Sequence, residues 1–346
     1  MSSGSPTFTA TSSRTSSRSF LLRTIRWGII GCGDVTEVKS GPGFQKADGS
    51  ALVAVMRRDG EKARDYARRH GVERAYDRAG DLIDDAEIDA VYIATPPSSH
   101  AELAFRVAAA GKPCLVEKPM ALNHAECLRM IGAFQSRGLP LWVAYYRRAL
   151  PRFRIVRERL RDGAIGQVTS VHVRVTAPLL EGADRSNWRV DPSVSGAGLF
   201  FDLGSHCFDL LDFLVGRITR VHGHSINSAG VYPAEDVTVA AFEFENGALG
   251  TGVWNFNASE KTDVMTFTGS EGELTTPIFS DTGVIVTRGN VKTVEEVRNP
   301  PHVHQPLIQT IVDELRGNGT CPSSGETAAR TSWVLDRCVD RYYGRP

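Results

Sequence analysis

The chain alternates short apolar runs with amphipathic stretches from Ile25 to about residue 148. The apolar runs predict β-strands over residues 25–30, 51–57, 90–94, 113–116 and 139–145. The amphipathic stretches predict helices over 34–46, 59–70, 98–110 and 123–137, the last with Asn123 as its N-cap and Glu126 three residues on. Strands that alternate with helices form a parallel sheet covered on both faces. This half is therefore predicted to be an α/β domain with a doubly wound parallel sheet.

The pattern changes after Arg148, where strand-like runs follow one another with few helices between them. Strands are predicted over 167–176, 218–225, 236–245, 248–256, 263–269, 273–276 and 283–287, and helices over 151–161, 198–214, 303–315 and 325–343. Such a series predicts an α+β domain with a large, mostly antiparallel open sheet. We therefore divide the chain into segments 1–24, 25–148 and 149–346, and expect the last two helices to brace the first domain.

One face of the second sheet is expected to pack on helices, which leaves the other face to be covered. Apolar residues on its strands include Val239, Ala241, Phe242, Trp254 and Phe256. An apolar sheet face outside the core usually needs another subunit to bury it. We therefore expect a homodimer or homotetramer formed through this sheet.

Composition narrows the classes of function. The 346 residues include 40 basic and 40 acidic side chains, and this balance argues against a nucleic-acid partner, because binding to phosphates needs surplus positive charge. No apolar run is long enough to cross a bilayer, so no membrane partner is expected. The six cysteines lack the spacing of a disulfide framework or a zinc site, which suits the cytoplasm.

Residues 1–24 differ from the rest of the chain. They include thirteen Ser or Thr residues, several Arg residues and no acidic residue. A segment this polar has too little apolar surface to fold, so a disordered tail is predicted. An organelle transit peptide has the same composition and stays open as an alternative.

The first predicted strand runs into a glycine-rich turn that contains Gly31 and Gly33. Gly31 permits the tight turn, and Gly33 lets backbone N–H groups approach a pyrophosphate at the start of the next helix, which begins at Asp34 and Val35. The third position of this pattern holds Thr36 instead of Gly or Ala, which would loosen the helix against the strand. A turn of this kind between a strand and a helix predicts a dinucleotide-binding domain of Rossmann type.

The end of the second predicted strand discriminates between NAD and NADP. An acidic residue there would bind the ribose 2′-OH of NAD, whereas this chain has Met56, Arg57 and Arg58. A guanidinium group can pair with a 2′-phosphate, and no carboxylate is expected at this point to repel it. NADP is therefore the expected cofactor and NAD the alternative, although the arginines could merely solvate the end of the strand.

Three further segments follow predicted strands at the sheet edge where ligands bind in α/β folds. They are 95–100 with Thr95, Pro96 and His100, then Glu117-Lys118-Pro119, and finally 145–148 with Tyr146 and Arg147. We expect the first two segments beside the cofactor.

These segments, the glycine turn and the stretch from Gly198 to His206 resemble the glucose–fructose oxidoreductase / inositol dehydrogenase / rhizopine-catabolism family of oxidoreductases, from Ile25 to the end of the chain. The resemblance implies that Lys118, Asp202 and His206 are catalytic and that Glu117 helps to position the nicotinamide riboside. It also implies dimers joined sheet to sheet. The finer match is to NADP-using sugar reductases such as those acting on anhydrofructose.

The chemistry of these residues independently suits such roles. Asp202 and His206 stand four residues apart in a predicted helix, so both project from one face. Histidine titrates near neutral pH and can exchange a proton with an alcohol, while Asp202 would orient its ring or favour its charged form. Lys118 can hydrogen-bond the reacting oxygen and stabilise negative charge on it. Taken singly, each of the three could be a structural residue.

Substrate contacts are expected from Tyr146, Arg147, Trp188 and Arg189, because sugars stack on aromatic rings and accept hydrogen bonds from guanidinium groups. A structural tryptophan at a domain corner is an equally good interpretation of Trp188.

Two pairs of histidines, at 222/224 and 302/304, have the alternate spacing of strand ligands. No Cys, Asp or Glu joins them at ligand spacing, so no metal site is expected.

The sequence thus predicts an NAD(P)-dependent oxidoreductase that acts on CH–OH groups of a sugar, a polyol or a related carbonyl compound. One alternative is a reductase of a non-sugar carbonyl or diol. Another is a cofactor-sensing regulatory protein without turnover, against which the presence of all three catalytic candidates argues.

Overall fold

The computed structural model describes residues 23–179, 187–281 and 283–344. Most of the predicted tail, residues 1–22, lies outside this part of the chain. Arg23, at the end of that segment, forms an ion pair with Asp89.

The first half builds a six-stranded, fully parallel sheet, which confirms the predicted α/β fold. Its strands are β1 (Ile25–Ile30), β2 (Ser50–Met56), β3 (Arg74–Tyr76), β4 (Ala90–Ile93), β5 (Cys114–Val116) and β6 (Leu141–Val143). The spatial order is β3-β2-β1-β4-β5-β6. The order reverses between β1 and β4, and a crevice forms beyond the carboxyl ends of strands at such a switch point.

Helices join these strands: α1 (Gly41–Lys46), α2 (Gly60–His70), α3 (Ala79–Asp84), α4 (His100–Ala109) and α5 (His124–Gln135). The predicted cap of α5 is confirmed, because the Asn123 side chain accepts a hydrogen bond of 2.9 Å from the Glu126 amide. The predicted helix over 34–46 is present, but Thr36–Ser40 within it forms a π-helical turn before α1.

The second half contains an eight-stranded sheet. Its elements are α6 (Pro151–Arg161), β7 (Val168–Thr176), α7 (Pro192–Ser195), α8 (Leu199–Leu214), β8 (Ile218–Ile226), β9 (Val237–Phe244), β10 (Leu249–Asn255), β11 (Thr262–Gly269), β12 (Glu273–Thr276), β13 (Val284–Arg288) and β14 (Val291–Glu295). The strand order is β14-β13-β12-β11-β7-β10-β9-β8. Among the described strands of this second sheet, only β7 and β10 pair in parallel, so the sheet is mostly antiparallel, as predicted.

The two faces of this sheet differ from the sequence expectation in one respect. Phe242, Trp254 and Phe256 do not face outward but are buried, and the Phe208 ring of α8 lies 5.0 Å from Trp254 and 5.5 Å from Phe242. Val239 lies on the opposite, open face of β9 and is 41% exposed. The alternation of buried and exposed residues along β9 produces this division.

The last two helices, α9 (Gln305–Leu315) and α10 (Gly325–Tyr343), connect the two halves. Helix α9 packs on α1, while α10 packs on β8, α8 and α5. No helix within the described residues is long and apolar enough to span a membrane.

Candidate active site

A cleft of about 1420 Å³ opens at the carboxyl ends of the parallel strands and extends to α8 of the second half. Its lining includes every predicted site residue except His100, namely Gly31, Gly33, Asp34, Val35, Arg57, Arg58, Thr95, Pro96, Glu117, Lys118, Tyr146, Arg147, Trp188, Arg189, Asp202 and His206. The cleft is larger than the pockets that bind small ligands, which suits a dinucleotide together with a second molecule.

The glycine turn forms one wall of the cleft. Gly31 has a φ of 92°, and a Cβ atom there would lie 2.7 Å from the Thr95 side chain, so the position requires glycine. A Cβ atom at Gly33 would have only the Gly31 carbonyl oxygen, at 3.9 Å, within 4 Å, so the space beside it is otherwise open. This arrangement leaves room for a ligand against the backbone, as a pyrophosphate would need.

Thr36 does not loosen the turn, contrary to the sequence expectation. Its hydroxyl group donates to the Gly33 carbonyl at 2.7 Å and accepts from the Gly33 amide at 3.0 Å. The Tyr66 hydroxyl group also donates to the Thr36 carbonyl at 2.8 Å. Because Thr36 occupies the Gly33 amide, the first helical amides, those of Asp34 and Val35, are the donors best placed for an anion.

Arg57 and Arg58 lie at the far end of the cleft, where β2 ends. Arg57 is partly buried and its Nη1 lies 3.4 Å from the Cys32 carbonyl oxygen, while Arg58 is exposed. A carboxylate is nevertheless present, which corrects the sequence expectation: Asp59 also lines this end. Its side chain caps α2 by accepting from the Lys62 amide at 3.1 Å.

His100 does not reach the cleft, although the sequence placed it beside the cofactor. Its ring is fully buried and lies within hydrogen-bond distance of three carbonyl oxygens, those of Thr95 at 2.7 Å, Pro119 at 3.1 Å and Met120 at 3.3 Å. Burial lowers the pKa of His100. This histidine therefore holds together the two loops that follow β4 and β5.

Glu117 is buried where β5 ends. Its carboxylate accepts hydrogen bonds from the Tyr92 hydroxyl group and from the Lys118 amide, the latter at 3.0 Å. Burial raises the pKa of Glu117 against the opposing effect of Lys118. The His304 ring nitrogen Nδ1 lies 3.7 Å from the same carboxylate.

Lys118 and Asp202 come from the two halves of the chain and meet in the cleft. The Lys118 ammonium group forms an ion pair with the Asp202 carboxylate and donates to the Asp202 carbonyl at 3.1 Å. Arg189 Nε lies 3.4 Å from the second carboxylate oxygen. Burial alone would raise the pKa of Asp202, but Lys118 and Arg189 outweigh it, so this pKa is lowered and the carboxylate stays charged.

His206 lies beside this pair on α8 and is 4% exposed. Its Nδ1 has no hydrogen-bond partner within the described residues. Burial, followed by the positive charges of Arg147 and Lys118, lowers the pKa of His206 well below its usual value. The expected contact between Asp202 and His206 is wrong, because the carboxylate turns to Lys118 instead.

The remaining predicted substrate residues form an aromatic and cationic wall. The guanidinium carbon of Arg147 lies 4.8 Å from the Tyr146 ring centre and 4.8 Å from that of Phe279. The Tyr146 ring makes an edge contact with His206, at 5.5 Å between centres. On the other side, the Arg189 guanidinium carbon lies 4.4 Å from the Trp188 ring centre.

The cleft residues that sequence reasoning missed include Lys39, Phe279 and His304. Lys39 is exposed on the π-helical turn, and π-turns frequently mark functional sites. His304 stacks on Tyr146 at 4.3 Å, while His302 has its Nδ1 2.7 Å from the Val38 carbonyl oxygen. In the sequence, His304 is marked only by its pairing with His302 at the alternate spacing of strand ligands. In the structure the two rings make separate contacts.

Comparisons with known proteins agree with this geometry. The family model described as "Oxidoreductase family, NAD-binding Rossmann fold" matches residues 25–145, and the one described as "GFO/IDH/MocA C-terminal domain" matches residues 153–275. Oxidoreductase P35 of Formosa agariphila is 38% identical over 315 residues, which cover 90% of this chain and 97% of that protein.

Two other similar proteins have names that describe an activity. The 1,5-anhydro-D-fructose reductase of Ensifer adhaerens is 23% identical over 312 residues, which cover 87% of this chain and 91% of that protein. A solved structure of levoglucosan dehydrogenase in complex with NADH and levoglucosan matches with a TM-score of 0.81 at 22% identity, over 92% of this chain and 97% of that one. At such identity the match shows a shared fold.

Proposed function

Since this chain belongs to the GFO/IDH/MocA family of oxidoreductases, we propose that it transfers a hydride between NADP and a CH–OH or carbonyl group of a sugar or polyol. The observation that carries the proposal is the convergence of Lys118, Asp202 and His206 in the cleft that begins at the glycine turn. A regulatory protein without turnover would have no need to bring a buried cation, its carboxylate and a histidine to one point.

The cleft fits a nicotinamide dinucleotide. We assign the pyrophosphate to the turn of Gly31 and Gly33 and to the amides of Asp34 and Val35, because the open space at Gly33 leaves room for it. Arg57 and Arg58 are assigned to the 2′-phosphate, and Thr95, Pro96 and Glu117 to the nicotinamide end of the cofactor. The bound nicotinamide would supply or accept the hydride.

The protein side chains would handle the oxygen and the proton of the substrate. Lys118 hydrogen-bonds the reacting oxygen and stabilises the negative charge that develops there. Asp202 holds the Lys118 ammonium group in place through their ion pair. His206 takes the proton from the alcohol in oxidation, for which its lowered pKa supplies the neutral ring that accepts a proton.

We assign the substrate to the wall formed by Tyr146, Arg147, Trp188 and Arg189. Rings and guanidinium groups of this kind contact the faces and hydroxyl groups of sugars. The names of the relatives, an anhydrofructose reductase and a levoglucosan dehydrogenase, favour a carbohydrate over other carbonyl compounds.

The test is the kinetics of the substitutions His206→Ala and Lys118→Ala. Each should lower kcat by roughly 10²–10⁴-fold, the usual effect of losing acid–base or oxyanion help. NADPH binding, measured by fluorescence titration, should survive His206→Ala because this residue faces the substrate. Arg154→Ala, at an exposed position on α6, is the matched control and should behave like the wild type. Near wild-type turnover in both active-site variants would reject the assigned site.

A further inference from the structure

The end of the cleft around His206 has more positive than negative charge. The cationic side chains are Lys39, Lys118, Arg147 and Arg189, and the carboxylates are Glu117 and Asp202. Asp202 is shared by Lys118 and Arg189. Glu117 accepts from Tyr92 and from a backbone amide. Arg147 therefore faces the cleft without an ion pair to any carboxylate of the described residues.

Arg147 is an unusual buried arginine. It is 7% exposed, its Nε donates to the Ile278 carbonyl at 3.0 Å, and its Nη1 has no hydrogen-bond partner within the described residues. The next residue, Arg148, is also buried but forms ion pairs with Asp209 and Asp212 at 2.9 Å and 3.0 Å. Buried charges in proteins are normally paired as Arg148 is. The partner of Arg147 is missing from the described part of the chain.

The surroundings of Arg147 suit an anion. The rings of Tyr146 and Phe279 lie against the guanidinium group and exclude water from it, which strengthens its attraction for negative charge. The side chain lines the same cleft as His206 and Lys118, so an anionic group bound there would belong to the molecule that reacts.

We propose that the substrate is an acidic sugar, of the uronic or aldonic acid type, and that Arg147 binds its carboxylate. This inference rests on the oxidoreductase function proposed above. A carboxylate fits the site because it pairs with the guanidinium group through charged hydrogen bonds in one plane. Lys39 adds a second positive charge at the same end of the cleft.

Binding of an acid would also affect the catalytic histidine. The charges of Arg147, Lys118 and Lys39 contribute, after burial, to the low pKa of His206. A carboxylate beside Arg147 offsets part of that positive charge and raises the affinity of His206 for a proton. The acidic substrate would therefore help His206 to hold the proton that it takes from the alcohol.

The experiment compares substrates that differ only in charge. The wild-type enzyme is assayed with NADP⁺ and with NAD⁺ on D-glucuronate, its methyl ester and D-glucose, and on the matching galactose series with D-galacturonate. Binding of each sugar to the enzyme saturated with NADP⁺ is measured by calorimetry, so that a result does not depend on turnover. We expect the acids to bind more tightly and to have the higher kcat/KM, and added salt to reduce this advantage.

The substitutions Arg147→Met and Arg147→Lys test the residue itself. Arg147→Met should weaken binding of the acid by roughly 10- to 100-fold, the cost of a lost charged hydrogen bond, and should abolish the preference over the ester. Arg147→Lys keeps the charge and should retain part of the preference. Arg154→Met, an exposed position on α6, is the matched control. Melting temperature and NADPH affinity verify that each variant is folded.

Several results would overturn the inference. An ester or neutral sugar that is bound as well as the acid would show that charge is not recognised, and a preference for a sugar phosphate would assign a different anion. If Arg147→Met weakens binding of the acid and of the ester equally, or weakens binding of NADPH, Arg147 has a role other than binding a carboxylate. If neutral sugars are oxidised without preference for acids, only this inference fails. If none of the sugars binds to a protein that binds NADPH, the proposed function fails with it.

Discussion

Arg57 directly follows β2, and under the function proposed above it selects NADP over NAD. If it pairs with a 2′-phosphate, Arg57→Asp should weaken NADPH binding by roughly 2–3 kcal/mol, because a charged hydrogen bond is replaced by repulsion. The same carboxylate could accept hydrogen bonds from the ribose hydroxyl groups of NADH, so NADH binding should improve. Fluorescence titration with both cofactors measures the change.

A matched control for Arg57 is Arg64→Asp, which reverses the charge of an exposed arginine on α2 outside the cleft. It should leave the ratio of the two affinities unaltered. If Arg57→Asp also leaves this ratio at its wild-type value, the NADP preference does not depend on Arg57. Asp59, which lines the same end of the cleft, would then be the first residue to examine as a ligand of the NAD ribose.

His304 predicts a dependence of stability on pH. Burial, followed by the charges of Lys39 and Arg147, lowers the pKa of His304 from 6.5 to about 3. Between these values the unfolded chain binds a proton that the folded protein does not, so stability falls as the pH falls. His304 alone should reduce the free energy of unfolding by about 2 kcal/mol between about pH 7 and about pH 5.

Urea unfolding of the wild type and of His304→Gln at the two pH values measures this contribution. The variant should lose less stability on acidification than the wild type, by about the same 2 kcal/mol. Arg154→Gln, at an exposed position on α6, serves as the control and should keep the wild-type dependence. Equal pH dependence in wild type and His304→Gln would show that His304 is protonated in the folded state.

The site residues that the sequence predicted belong to local sequence motifs, whereas the residues that it missed do not. Gly31 belongs to a motif that is complete within one turn, and Lys118 and His206 stand in short patterns typical of the family. Phe279 and His304 reach the cleft only because the second sheet and α9 fold back onto the first half. No local pattern marks them, since their role depends on packing between segments more than 100 residues from the glycine turn.

Among the elements, those with a clear apolar pattern were predictable and those without one were not. Helices α6 and α10 have the predicted bounds, because their apolar positions repeat over several turns. Strand β3 has three half-buried residues, and β14 is mostly exposed, so neither has an apolar pattern. The π-helical turn was not predictable either, since it depends on the hydrogen bonds of Thr36 with Gly33 and Tyr66.

Helix α8 shows why the element that bears two catalytic candidates is rigid. Twelve of its 16 residues are buried, and its aromatic side chains contact Trp254 in the second sheet. At its N-terminus the buried Glu235 carboxylate accepts from the Gly198 amide at 2.9 Å. The helix therefore presents Asp202 and His206 to the cleft from a fixed scaffold, as a catalytic site requires.

At the scale of the whole molecule, the two halves are joined by buried charges as well as by helices. Arg148, where the first half ends, is bonded to Asp209 of α8, and Asp212 of α8 is bonded to Arg330 of α10. Burial raises the pKa of Asp209 to about 6 against the effect of Arg148. The division of the chain near residue 148 stays a prediction. We expect the ion pairs of Arg148 and Asp212 to keep the two walls of the cleft at a fixed distance and orientation.

The open face of the second sheet predicts the assembly of the protein. Val239 on β9 stands opposite Val253 on β10 in the strand register, and Val239 and Leu249 on this face are 41% and 60% exposed. We propose that a second copy of the chain covers this face in a two-fold symmetric dimer, in which each residue occurs twice. Val239→Glu should then bury two carboxylates at the interface and disfavour the dimer by several kcal/mol, which raises the dimer dissociation constant on the order of 100-fold or more.

Sedimentation velocity over a range of protein concentrations distinguishes the outcomes. The wild type should sediment as a dimer or a larger even-numbered oligomer, and Val239→Glu should dissociate at concentrations where the wild type does not. In a monomer the same substitution would be an exposed change, worth less than about 0.5 kcal/mol in folding stability, so both proteins should be equally folded.

Leu128→Glu, which is 52% exposed on α5 and remote from the sheet, should assemble like the wild type. A wild type that is monomeric throughout, or a Val239→Glu variant with the wild-type mass, would mean that another surface or none forms the interface. The cleft, which draws its residues from both halves of one chain, should bind NADPH in either case.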